Sequence, residues 1–161
     1  MNGRKPPVKG DAVDTLEASR QTQAERRETA ERAILEAAKI IVAERGLDAL
    51  TLHEAGEAAG YSRALPGHYF GTKSALLAAL ADHIIAGYAI RIREAVGPAD
   101  GLDSLCERIC FYFDDACRDP VTVRAFQCIL AGGLTRGDLA PIMNQLNRNS
   151  VDGLASISKL A

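Results

Sequence analysis

The chain has 161 residues and a mass of 17.2 kDa, which leaves room for one or two small domains with a proper core. Hydrophobic residues at 47% and charged residues at 25% exclude a disordered chain, and a net charge of -2 excludes an overall positive field. Any polyanion must therefore be met by a local patch, and aromatic residues at 5% with no Trp predict an all-α protein.

Residues 1–22 contain Pro6, Pro7, mixed charges and few large apolar groups, a composition that predicts a flexible arm. Arg4, Lys5 and Lys9 are its candidate phosphate contacts, although a solvated tail is the simpler reading. From about Glu25, Ile34, Leu35, Ala38, Ile41 and Val42 form one stripe at helical spacing, and the helix should end at Gly46. Thr51 and Glu54 have the spacing of a capping box, so a short helix begins at Thr51 and stops at Gly60. Ser62 can cap a second short helix with Arg63, Ala64 and Leu65 on its first turn, with Tyr61 plugging the small core behind it. Helix, short glycine-containing turn and second helix form the arrangement that feeds a reading helix into a DNA groove.

Thr72 then caps a long helix carrying Leu76, Leu77, Leu80, Ile84, Ile85, Tyr88 and Ile92, up to about Val96. A break at Gly97-Pro98 and Gly101 precedes a helix from Leu102 to about Arg118, with Leu105, Cys106, Ile109, Cys110, Phe113 and Cys117 expected inward. Cys106, Cys110 and Cys117 fall within roughly 40° on a helical wheel. A thiol or soft-metal site with Cys128 fits that spacing, but without a C-x-x-C or paired His they read more simply as small core residues. Asp114-Asp115 reads as a solvated helix face, and His83 as a partly exposed, hydrogen-bonded side chain. A helix from about Val121 to Ala131 follows, then a loop at Gly132-Gly133 and Gly137. A last amphipathic helix from Leu139 to Ala161 carries Met143, Leu146, Val151 and Leu154. No nucleophile triad, phosphate loop or metal-protease motif stands out, so no enzyme activity, cofactor or metal is predicted. The start lacks a signal-peptide plan and the apolar runs are broken by Asp82 and His83, so the expectation is a cytoplasmic protein with no membrane partner and reduced cysteines.

With these residues assembled, the segment from about 29 to 80 resembles the TetR family of bacterial one-component transcriptional regulators. The pattern is Ile34-Leu35-x-Ala37-Ala38, Gly46-Leu47, Leu50-Thr51, Ala58-x-Gly60-Tyr61-Ser62, His68-Tyr69-Phe70-x-x-Lys73 and Leu76-Leu77. The resemblance implies a helix-turn-helix DNA-binding domain over 23–73 and a helical effector-binding and dimerisation domain over 74–161. It also implies a homodimer on a double-stranded DNA operator, repressing until a small-molecule effector releases it; the competing reading is a truncated helical interaction module without operator binding.

Carried over by position, Thr51 touches a phosphate, His53 a base, and Arg63, Ala64 and Leu65 face the major groove. Arg63 is the candidate for direct readout, because a guanidinium can donate two bonds to guanine. Ser62, His68, Tyr69 and Lys73 match phosphate-contacting positions. Phe113, Cys117, Phe126, Ile129 and Met143 are the candidate effector-pocket residues, joined by Phe111. Pro66-Gly67 and Ala55-Gly56 depart from the family pattern, which predicts a distorted reading helix and thin packing beneath it. The chain also ends where the helix before the family's dimer-forming pair is expected.

Overall fold

The computed structural model describes residues 22–97 and 101–148. Arg4, Lys5 and Lys9 of the predicted arm, Pro98 of the predicted break, and Val151 and Leu154 of the last predicted helix lie outside them. Six α-helices run in order: α1 (Gln23–Arg45), α2 (Leu52–Ala58), α3 (Leu65–Phe70), α4 (Lys73–Val96), α5 (Gly101–Arg118) and α6 (Pro120–Thr135). A 3-10 turn, Gly137–Leu139, and a helical segment over 140–148 complete the description. The protein is all-α: a helix-turn-helix head joined to a helical body, with no strand among the described residues.

Helix starts follow side-chain chemistry. Thr22 caps α1 in a full capping box with Glu25, a signal the sequence reading left inside the arm. Thr51 accepts the N–H of Glu54 at 3.1 Å, and Thr72 accepts that of Ala75 at 3.1 Å. Only the Thr51 half of the predicted box forms, because the Glu54 carboxylate turns to the Arg45 guanidinium.

The interior is one continuous cluster. Ile34, Ala38, Ile41 and Val42 of α1 meet Leu50, Ala55 of α2, Leu76, Leu77, Leu80 and Ile84 of α4, and Ala125 and Ile129 of α6. Each such aliphatic side chain contributes about 1.5–3 kcal/mol by leaving water. α1 therefore does more than roof the helix-turn-helix, since its other flank packs on α6. By length and composition α4 could also cross a membrane. Its most apolar half is instead committed to this core, with Leu76, Leu77 and Leu80 fully buried.

Four expectations fail here for identifiable reasons. Tyr61 does not plug the core but is exposed; Leu65, Pro66 and Phe70 occupy the space behind the turn. The packing beneath the reading helix is not thin either. A Cβ on Gly56 would lie 2.9 Å from Pro66 Cδ and 2.8 Å from the Ser62 carbonyl, so the missing side chain on α2 is the seat of the proline on α3. Gly132-Gly133 does not end α6, which continues to Thr135, because the bare backbone there admits Leu47 and Met143. The fourth failure is α5. Cys106, Ile109, Cys110, Phe113 and Cys117 face solvent, Phe113 being 63% exposed. The inward side holds Ser104, Arg108, Phe111 and Asp115, and of the predicted stripe only Leu105, which is half-buried.

Candidate nucleic-acid interface and ligand cavity

The turn between α2 and α3 is set by backbone geometry. Ala59 closes α2, Gly60 takes a φ of 78°, and the Tyr61 N–H donates to the Gly56 carbonyl at 2.9 Å. A left-handed φ of that size suits glycine, so the chain reverses here without strain. The second helix starts later than its sequence suggests. Ser62 is not its cap; its carbonyl accepts the Leu65 N–H at 3.1 Å, and α3 begins at Leu65 after an Ala64 cap with no side-chain bond. Pro66 fixes this start, because a residue without an N–H is harmless only among the first helical positions.

Arg63 and Ala64 consequently lie in the turn rather than on the first turn of α3. Both are exposed, whereas Leu65 is half-buried against the core. The Arg63 guanidinium donates to Glu57 of α2 at 2.9 Å. That hydrogen bond and the charge behind it raise the Arg63 pKa and lower that of Glu57. Thr51, His53, Ser62 and His68 are exposed around the same turn. Tyr69 is half-buried, with the Arg27 guanidinium 5.2 Å from its ring centroid. Lys73 is also half-buried, and its ammonium donates to the Asp48 carbonyl at 3.3 Å. The Asp48 carboxylate pairs with Arg136 at 2.8 Å, so this one residue ties α4 and the end of α6 to the loop before α2. No spacing rule pointed to Asp48 or Arg136, which are 88 positions apart.

Most cations at this face already have an internal carboxylate or carbonyl partner. Phosphates would have to replace those partners, which accords with a chain that has no overall positive field.

In the body, a cavity of about 340 Å³ opens between α4, α5 and α6, walled by Ile84, Ile85, Tyr88, Tyr112, Ala116 and Phe126. Leu146 closes one side. Of the predicted pocket residues only Phe126 is on its wall. Phe113 and Cys117 face solvent, Ile129 is fully buried in the core, and Met143 packs over Gly133. Phe111 lies instead on a neighbouring shallow depression. The sequence placed the wrong face of α5 inward, and the pocket residues on that face moved out with it. Asp115, expected on a solvated face, has a side chain only 13% exposed. It receives Arg91 Nε and Nη2 at 2.8 Å each. That bond raises the Arg91 pKa, and burial followed by the nearby Asp115 charge raises that of Tyr88. His83 is half-buried and contacts Glu36 at 2.9 Å, as its sequence context suggested. No cluster of three or more His, Cys, Asp or Glu is placed to hold a metal among the described residues.

The fold and this turn define a helix-turn-helix protein. Residues 34–80 match the model of the bacterial regulatory proteins of the tetR family. The whole fold is similar to that of a TetR-family transcriptional regulator from Rhodococcus sp., at 22% identity and a TM-score of 0.71 over 80% of this chain and 69% of that one. It is similar also to a TetR family transcription regulator from Marinobacter aquaeolei VT8, at 19% identity and a TM-score of 0.62 over 81% and 73%. No curated protein matches in sequence.

Proposed function

We propose that the protein is a repressor that binds a double-stranded operator as a homodimer in the cytoplasm, and leaves it when a small molecule occupies the α4–α6 cavity. In this reading residues 23–73 are the DNA-binding unit and 74–161 the effector-binding and dimerisation unit. The observation that carries it is the exposed turn. Thr51, His53, Ser62, Arg63 and His68 are all exposed on or beside it, whereas Ala55 and Pro66 are buried. A homodimer would present two such turns about 34 Å apart, one DNA turn. Arg63 is assigned to base readout and Lys73 to backbone contact, each after leaving its present partner. In quantitative binding to operator and random DNA, Arg63→Ala should weaken operator binding on the order of tenfold to a hundredfold and spare random DNA. Lys73→Ala should weaken both alike and reduce the salt slope by about one unit. Equal losses on both DNAs for Arg63→Ala would remove its readout role.

One observation favours a second reading, that of a helical interaction module: the outward apolar stripe of α5. Light scattering combined with DNA binding at low salt separates the two. A monomer without DNA affinity would select the module.

A further inference from the structure

The cavity in the body carries its own specification of ligand charge. The charged side chains on its described wall are Arg91 and Asp115, and they neutralise each other. Their pairing is fork to fork: Nε meets Oδ1 and Nη2 meets Oδ2, so both carboxylate oxygens are engaged. An incoming carboxylate would have to take the guanidinium from Asp115, stranding a carboxylate that is 13% exposed. A stranded buried charge is heavily penalised. An incoming ammonium finds the same carboxylate already saturated, and taking it would release Arg91 from its partner.

The remaining wall is mostly apolar, with Ile84, Ile85, Val123, Phe126 and Leu130, and its other polar residues, Thr122 and Gln127 among them, carry no charge. Tyr88 and Tyr112, also on the wall, meet edge to face at 6.3 Å between centroids, and each brings a phenol that can hydrogen-bond. Burial, followed by the Asp115 charge, pushes the Tyr88 phenol above its ordinary value. At about 340 Å³ the space is at the small end of ligand pockets.

We propose that this cavity selects an uncharged, largely apolar small molecule with one hydrogen-bonding group, because its wall charges are spent on each other. The proposal rests on the effector reading above and adds the chemical class of the effector.

Three size-matched probes test it: naphthol, naphthoate and naphthylmethylammonium at neutral pH, followed by naphthalene emission, which no Trp in this chain obscures. Naphthol should bind at least about tenfold more tightly than either ion. Asp115→Asn keeps the shape but frees the guanidinium, and should raise naphthoate affinity about tenfold or more while moving naphthol by less than about threefold. Ala116→Phe narrows the cavity without adding a Trp and should weaken naphthol binding at least about tenfold, with a thermal melt confirming that it folds. If either ion binds the unaltered protein as tightly as naphthol, or Asp115→Asn leaves naphthoate unchanged, the charge rule is overturned while the cavity remains the candidate effector site. If no probe binds, or Ala116→Phe folds and binds naphthol as tightly as the unaltered protein, the cavity itself is lost as the site. DNA binding by the same preparation reports separately on the head.

Discussion

α1 and α5 are both helices with an apolar stripe at regular spacing, yet they end in opposite situations. α1 lies between α2, α4 and α6, and buries Ile34, Ala38, Ile41 and Val42. Among the described residues α5 packs mainly on α4 and α6, through a side that holds Ser104, Leu105, Arg108, Phe111 and Asp115, while Ile109 and Phe113 stay in water. The cost is visible, since Ser104 Oγ and Arg108 Nε are buried without a hydrogen-bond partner among the described residues. What holds α5 is polar instead: Asp115 to Arg91, and the Arg108 guanidinium to the Gly97 carbonyl at 3.0 Å. A stripe shows which face of a helix is apolar; whether that face is covered depends on how many neighbours reach it.

The contrast is breakable by mutation. The largest effect belongs to α1: Ile34→Ala should cost about 2–5 kcal/mol in denaturant unfolding, the range for truncation in a closed core. Phe113→Ala on α5 should cost no more than about 0.5 kcal/mol. A loss at Phe113 comparable to that at Ile34 would mean that this face is covered in solution, and the comparison would collapse.

Next is the interlock between α2 and α3. Gly56→Ala should destabilise by about 1–3 kcal/mol, because the added methyl meets Pro66 and the Ser62 carbonyl. Part of that loss should disappear in a Pro66→Ala background, giving a coupling energy above about 0.5 kcal/mol. Strict additivity would show that the two departures from the family pattern are unrelated.

On the body side, Asp119 caps α6 by accepting the Thr122 N–H at 3.1 Å, and Asp119→Ala should cost about 1 kcal/mol at neutral pH. Burial works to raise the Asp119 pKa, but the Thr122 hydroxyl and N–H outweigh it and hold the carboxyl below its usual range. A depressed folded value means that the contribution is complete above the unfolded pKa and fades as pH falls through the lower folded one. The gap between the two proteins should therefore close only in strong acid; a gap unchanged there would show that the cap does not depend on the carboxylate charge.

The smallest expected change is at the surface of the head. Glu57→Gln should leave the melting temperature unaltered and raise affinity for random DNA a few-fold, by releasing Arg63 and removing a negative charge. No change in DNA affinity would place the Glu57–Arg63 pair away from the bound duplex.

Much of the head was legible because its signals are local. Thr51 and Thr72 cap where their spacing placed them, and Gly46 and Gly60 take positive φ values at the turns. The start of α3 was misplaced because Ser62 looked like a cap, whereas Pro66 four residues on had the stronger claim. Of the pocket, only Phe126 was legible. Tyr88, Arg91 and Asp115 carry no distinctive spacing, and they meet only once α4 and α5 cross.

The sequence by itself determined the helices, their caps and the helix-turn-helix, since each is written in residues a few positions apart whose backbone and capping energetics need no distant partner. Tertiary structure alone decided that Pro66 rests on Gly56, that Gly132-Gly133 admits Leu47 and Met143, and that α5 turns its apolar stripe outward. Those outcomes depend on which surfaces remain free after the larger core of α1, α4 and α6 has closed. Competition for burial is a property of the whole molecule, and no window of sequence contains it.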